Sequence, residues 1–380
     1  MQLVLTEDQE LLAKTASDFV AEHSPVARMR ALRDAGDPDG FSRSLWKQMA
    51  ELGWVGIPFP EAFGGADMGL AELAVVLEEL GRKLAPEPFL SNTLLAGQAV
   101  LRAGSEAQQQ AWLPALVNGE KLLSLAYQEA ASRYALQRVT ACAERVGSGW
   151  RITGEKIAVL DGASADAFVV AARTAGADDD PDGISLFLLP RDAAGLSVLP
   201  QARVDSRNAA IVRLDGVSAG PDALLGGEGS GLAVLEEVVD LATVGLCAEM
   251  LGSMSEAFER TLDYLRQREQ FGVPIGSFQA LKHRAAHLFI QVELCRSAVM
   301  AAARAVDEGG AESAKLVSLA KARCSEAALL VANEAVQMHG GIGMTDEHDI
   351  GFYLKRARVA ELTFGDASFH RDRWARLSGY

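Results

Sequence analysis

Behind Thr6-Glu7-Asp8-Gln9, a capping-box sequence, Leu12, Ala16, Phe19 and Val20 recur at helical spacing, so the chain is expected to open as a helix. Further helical patterns cover about 42–52, 69–84, 92–103 and 106–117, with Gly53 placed to stop one of them. From Lys121 the pattern changes to short alternating or β-rich runs: Leu122 to Tyr127, Val139 to Val146, Trp150 to Val159, Phe168 to Ala172, Ile184 to Leu189 and Ala210 to Leu214. Gly147-Ser148-Gly149 signals a hairpin between two of them. From Gly231 long helical patterns return, at about 231–268, 279–308, 311–338 and 346–361. The pattern predicts an α+β multidomain protein: an N-terminal all-α domain over 1–120, a middle β-barrel or sandwich domain over 121–225, and a C-terminal four-helix bundle over 226–380.

With 380 residues the chain can bury more than one core, and its formal charge of −15 disfavours nucleic acid and anionic membranes. Acids interrupt every apolar run before spanning length and no basic leader opens the chain, so a cytoplasmic protein is expected. Cys142, Cys247, Cys295 and Cys324 are scattered, which predicts buried thiols and neither zinc nor disulfides. Asp178-Asp179-Asp180-Pro181-Asp182-Gly183 imitates half of a calcium loop, but Leu189 stands at the twelfth position and a solvated hairpin loop is expected. His283 and His287 lie one helical turn apart, but Arg284 stands where a zinc-protease motif needs glutamate. Gly226-Gly227-Glu228-Gly229-Ser230-Gly231 lacks the residues of a P-loop and reads as a connector.

The segment richest in chemistry is Arg268-Glu269-Gln270-Phe271-Gly272-Val273-Pro274-Ile275-Gly276-Ser277-Phe278-Gln279. Between two helices it sets a cation, an amide and an aromatic ring. Arg268 can fork donors onto phosphate oxygens, Gln270 can hydrogen-bond them, and Phe271 can lie against a heterocycle, a set suited to a dinucleotide. The same residues also make a plain helix end, closed by Gly272 with Pro274 preventing continuation.

This segment resembles the Arg-x-Gln-Phe-Gly-x-Pro-Ile-x-x-Phe-Gln signature of the acyl-CoA dehydrogenase family. Gln337-Met338-His339-Gly340-Gly341-Ile342-Gly343-Met344 is similar to its Gln-x-x-Gly-Gly-x-Gly-Tyr block, with Met344 in place of tyrosine. Gly56-Ile57-Pro58 and Gly64-Gly65 extend the likeness towards the N-terminus. The resemblance implies FAD-dependent α,β-dehydrogenation of an acyl-CoA thioester, with an electron-transfer flavoprotein as acceptor. It also implies an oligomer, because Arg268, Gln270, Phe271, Gln337, Gly340 and Gly341 would grip the adenosine-diphosphate half of FAD held chiefly by a neighbouring subunit.

Family members need a carboxylate to take the α-proton. One usual position for it corresponds here to Phe364, in Leu362-Thr363-Phe364-Gly365-Asp366-Ala367-Ser368, and the other, on the first long C-terminal helix, to Ala242. The family's Thr-Glu-Pro-Gly segment over the flavin becomes Gln128-Glu129-Ala130-Ala131, and its Trp-Ile-Thr triplet becomes Ala158-Val159-Leu160. An arginine often found after the second base position is Thr243, while Asp240 survives. What the chain would lend a partner is kept, and what its own flavin ring and proton transfer would need is altered. This resembles the non-catalytic member of heteromeric enzymes, nearest the small subunit of the pimeloyl-CoA dehydrogenase type through Gly154-Glu155-Lys156 … Asp161-Gly162 … Ala165-Asp166 and Phe364-Gly365-Asp366-Ala367. Two alternatives stand: a homo-oligomeric flavoenzyme with Glu129 or Asp366 as base, and a scaffold that has kept the fold without the chemistry.

Overall fold

A computed structural model describes residues 4–380. The N-terminal segment is helical, with α1 (Glu7–His23), α2 (Val26–Ala35), α3 (Arg43–Glu51), α4 (Leu70–Arg82), a π-helix (Phe89–Gly97), α5 (Gln98–Ala103) and α6 (Glu106–Val117). The middle segment is a sheet of β1 (Leu123–Ala126), β2 (Cys142–Val146), β3 (Gly149–Leu160), β4 (Ala167–Arg173), β5 (Ile184–Pro190), β6 (Leu196–Pro200), β7 (Ala209–Ala219) and β8 (Leu224–Leu225). The C-terminal segment is helical again: α7 (Gly231–Gln267), a hairpin of β9 (Glu269–Gln270) and β10 (Val273–Pro274), then α8 (Gln279–Glu308), α9 (Ser313–His339), α10 (Ile350–Leu362) and α11 (Ala367–Leu377). The helical, sheet, helical order is the one the pattern predicts.

By compactness the chain divides differently. One unit comprises Met1–Ala31, Gly69–Ala85 and Thr243–Tyr380, the other Leu32–Met68 and Pro86–Ala242, so α7 begins in one and continues in the other.

In the first unit, Thr6 and Gln9 form the expected capping box, with reciprocal bonds of 3.1 and 3.2 Å. Both oxygens of Asp307, from α8, cap the start of α4 by accepting from Leu70 N and Ala71 N at 2.7 and 2.9 Å. Helices α4 and α7 touch backbone to backbone. A Cβ on Gly81 would lie 2.2 Å from the Glu249 carbonyl oxygen, and one on Gly252 would lie 1.8 Å from that of Glu78. Helix α9 is the central element, packed by α8, α10 and α11.

In the second unit the sheet order is β6-β7-β3-β2-β4-β5-β8, with β1 added in parallel to β4. Strand β4 is buried along its whole length, which is why it reads as a continuous apolar run. Trp150 meets Phe187 edge-on at 5.3 Å in the core. The predicted hairpin is present, with Val146 paired to Gly149 and Gly147 at φ 62°. So is the predicted stop after α3, where Gly53 takes φ 81° and Trp54 N donates to Met49 O.

Four features depart from the pattern. Residues 92–103, expected as one α-helix, divide into the end of the π-helix and α5. All nine π-helix residues are buried, so no polar face marked its periodicity. Helices α2 and α11 carry almost no apolar stripe, burying only Val26 and Met29 in one and His370 in the other, so the bundle region holds a fifth helix that hydrophobic spacing did not reveal. Strand β6 has no buried residue and, among the described residues, pairs only with β7. Cys142 is exposed, whereas Cys247, Cys295 and Cys324 are buried.

The Asp178–Gly183 loop joins β4 and β5 and is exposed at its acidic positions. Its cation is internal. Buried Arg173 donates to the carbonyls of Gln137, Val139, Ala175, Asp178, Asp180 and Asp182 at 2.8–3.3 Å. Removing it takes a charge-assisted donor from all six carbonyls at once, so Arg173→Met is expected to lower unfolding free energy by about 3 kcal/mol or more in urea titrations. Gly252→Ala is expected to cost a similar amount, about 3 kcal/mol, because the obstacle is main chain that cannot rotate away.

Candidate functional site

The last turn of α7 sets the first part of the site. Arg268 N donates to Tyr264 O at 2.8 Å, and the chain then folds into the β9–β10 hairpin, with Gln270 paired to Val273. Phe271 and Gly272 are its two turn residues, at φ 56° and 79°, the left-handed pair such tight hairpins require. The expected turn between helices is thus a two-residue β-hairpin. A phenylalanine is disfavoured at positive φ, yet Phe271 is 93% exposed, touching Phe278 edge-on at 6.2 Å. Arg268 and Gln270 are exposed beside it. Gln270 spends one amide proton on Glu269 O at 2.8 Å, and among the described residues no acceptor engages the Arg268 guanidinium.

The second part lies at the end of α9. Gln337 is exposed, Gly340 caps the helix at φ 64°, and a short 3-10 turn follows through Met344, which is 80% exposed. A Cβ added at Gly340 or Gly341 would meet nothing within 4 Å, whereas one at Gly343 would strike the Val336 carbonyl at 2.6 Å. Gly343 is required by packing; Gly340 and Gly341 leave bare backbone facing open space.

Aromatic stacking joins the two parts. Tyr264, one turn before Arg268, stacks on His339, two residues after Gln337, with ring centroids 4.5 Å apart. His348 lies 4.7 Å beyond. Burial pulls both imidazoles below their ordinary pKa and keeps them neutral, and His339 Nδ1 donates to Ala335 O at 2.7 Å. A cavity of about 230 Å³, lined by Met344, Asp346, His348 and Lys355 among others, opens beside this turn.

The two residues that the resemblance sets at base positions are apolar and covered: Ala242 is 0% and Phe364 9% exposed. Glu129 is buried and fully engaged. It accepts from Lys156 Nζ at 2.5 Å, Thr140 N at 2.9 Å, Ala141 N at 3.1 Å and the Thr140 hydroxyl. Burial alone would raise its pKa, but the Lys156 ammonium and these donors hold the carboxyl below the usual range, so it stays ionised and occupied. Asp366 caps α11, accepting from Phe369 N at 2.9 Å. Ala158, which the resemblance aligns with the flavin-side triplet, takes φ 51° at an irregularity in the β3–β7 pairing, and its N–H donates to Gln201 at 3.0 Å. His283 and His287 are both exposed on α8.

Sequence reasoning missed Tyr264 and His339 as the tie between the two parts, and Lys156 as the partner of Glu129. The signal for Lys156 was a lysine in the middle of a half-buried strand, which demands an acid nearby.

Comparison with known proteins agrees with this architecture. Residues 6–120 match the acyl-CoA dehydrogenase N-terminal domain, 124–216 its middle domain and 229–378 its C-terminal domain. The acyl-CoA dehydrogenase IpdE2 of Mycolicibacterium smegmatis is 34% identical over 95% of this chain and 96% of its own. Among solved structures, a chain of the ChsE4–ChsE5 complex from Mycobacterium tuberculosis superposes with a TM-score of 0.90 at 29% identity, over 100% of this chain and 99% of its own. A chain from a structure described as the electron transferring flavoprotein of Acidaminococcus fermentans gives 0.92 at 27% identity, over 99% of both. A match across all three domains, in the order the fold presents them, makes this chain a member of the acyl-CoA dehydrogenase family.

Proposed function

We propose that this chain is the FAD-completing subunit of a heteromeric acyl-CoA dehydrogenase that oxidises a bulky or dicarboxylic acyl-CoA, of the pimeloyl-CoA dehydrogenase type, and passes electrons to an electron-transfer flavoprotein. The three domains are assigned to 1–120, 121–225 and 226–380. The observation that carries the proposal is the contrast between two half-sites. At Arg268, Gln270, Phe271, Gln337, Gly340 and Gly341 the chain offers an exposed guanidinium, two exposed amides, a bare phenyl ring and open glycine backbone. These fit the phosphates and adenosine end of FAD, which bound there supplies hydride acceptance at its flavin ring.

The chain's own proton-transfer positions do not fit the reaction. Phe364 and Ala242 cannot accept a proton, and the strand that would face the ring carries Ala158 and Leu160. Glu129 spends its lone pairs on an internal lysine and three further donors, and Asp366 holds a helix start. These arrangements weaken the case for a homo-oligomeric enzyme with an unusual base.

The ring at Phe271 and the apolar residues Phe289, Ile290 and Leu294 along α8 are all at least half exposed, which supports a partner subunit. The ChsE4–ChsE5 neighbour, itself a complex of two different chains, supports it further.

Arg268→Ala is expected to weaken FAD retention in the assembled enzyme by roughly ten- to a hundredfold, since each charge-assisted bond to phosphate is worth on the order of 1.5–3 kcal/mol. Unchanged flavin content after gel filtration would reduce Arg268 to a helix-end residue. The chemistry is tested directly by adding saturated acyl-CoA anaerobically to the partner-free protein reconstituted with FAD. The flavin band should not bleach, and Phe364→Glu should give at most slow bleaching because the ring remains poorly held. Rapid bleaching by the unmodified chain would refute the auxiliary role.

A further inference from the structure

The corner between α10 and α11, which carries residue 364, is gripped by two buried side chains that the proposed cofactor contacts do not use. Phe364 takes φ 61° and Gly365 117°, so the main chain turns through space that disfavours a phenylalanine. Lys321, from α9, is 0% exposed. Its three ammonium protons are matched by the Gly365 carbonyl at 2.7 Å, the Glu361 carbonyl at 3.0 Å and the Ser325 hydroxyl at 2.9 Å.

From the other side comes His370 of α11, 2% exposed, with Nε2 3.1 Å from the Phe364 carbonyl and Nδ1 3.4 Å from the Ser318 hydroxyl. Burial and the nearby Lys321 charge bring its pKa down to about 3, so the ring is neutral and a carbonyl partner requires its proton on Nε2. Gly365 has no room for a side chain: a Cβ there would lie 2.5 Å from the Phe369 ring and 2.7 Å from His370 Nε2. Three carbonyls around one strained residue, among them that of Glu361 in the last turn of α10, are therefore held by side chains from two other helices.

We propose that Lys321, backed by His370, is the positioning residue of this corner and fixes its shape independently of the side chain at 364. This rests on reading 364 as the family's base position. It makes the loss of the base a change of one side chain on a seat that is still built.

A pH dependence follows with a definite sign. Lys321 faces the thiols of Cys247 and Cys324 and the carboxylates of Glu361 and Asp366, with neutral His370 and the Arg373 guanidinium on the α11 side. Burial lowers its pKa from 10.5 to about 8. Opening the corner to water restores the ordinary value, so between those two pH values the open form binds more protons than the closed one. Opening therefore becomes harder as pH rises through that window.

The test is amide hydrogen exchange, read by mass spectrometry on the full chain without FAD or partner, at a peptide covering 362–370. After correction for intrinsic rates, protection of this peptide should rise above pH 8 by up to about tenfold per pH unit, while peptides of α8 stay flat. Lys321→Met should abolish the rise and, at pH 7, speed exchange of the corner by about tenfold or more. Phe364→Glu should keep both the protection and the rise. A flat profile in the unmodified chain, wild-type protection in Lys321→Met, or a loosened corner in Phe364→Glu would each overturn the proposal. The first and third need no change at Lys321 and decide the matter if that variant fails to fold. Flavin reduction does not enter these readings, so a failure of the auxiliary-subunit proposal is seen separately.

Discussion

Positive charge taken out of water must be matched by acceptors, and that constraint shapes both units of this protein. Lys156 is matched by Glu129, Lys321 by a hydroxyl and two carbonyls, and Arg173 by six carbonyls. In each case the cation orders a segment that lacks regular hydrogen bonding: the 128–134 turn, the corner after α10, and the acidic loop between β4 and β5. Arg268 is the contrasting case. Its guanidinium stands in solvent beside an exposed phenyl ring and bare glycine backbone, where no acceptor among the described residues uses it. That exposure supports the proposal that Arg268 meets an anion supplied from outside.

The same constraint separates Glu129 from a catalytic base. A carboxylate poised to take a proton needs a free lone pair and a pKa near the working pH. Glu129 has neither, because its neighbours stabilise the ionised form and fill its acceptor sites. At Ala242 and Phe364 the buried side chains are apolar, which costs the fold little and offers no proton acceptor at either position.

Much of this was legible in the sequence. The Arg268 segment and the Gln337 block announced themselves by residue type and spacing, and Gly53 and Gly147 by the left-handed backbone each supplies. What stayed hidden depended on tertiary contacts. Helices α2 and α11 lack an apolar stripe, and the π-helix lacks a polar one, so hydrophobic periodicity is silent for both kinds. The Tyr264–His339 stack and the Lys321 bonds to the Glu361 and Gly365 carbonyls join residues dozens of positions apart, and no local pattern encodes them. The acidic loop read correctly as a hairpin connection, but its internal cation, Arg173, ends the preceding strand one residue past the expected run, and no local pattern marks it.

The central claim is that the chain completes a flavin site it does not own. Its most direct test is the visible spectrum and FAD content of the protein purified alone, compared with the protein purified together with a catalytic acyl-CoA dehydrogenase chain from the same source. The account predicts little flavin in the first preparation and about one FAD per pair of unlike chains in the second, since ligand binding requires the assembled state. About one FAD per chain, firmly held by the isolated protein and unaffected by the second chain, would contradict it.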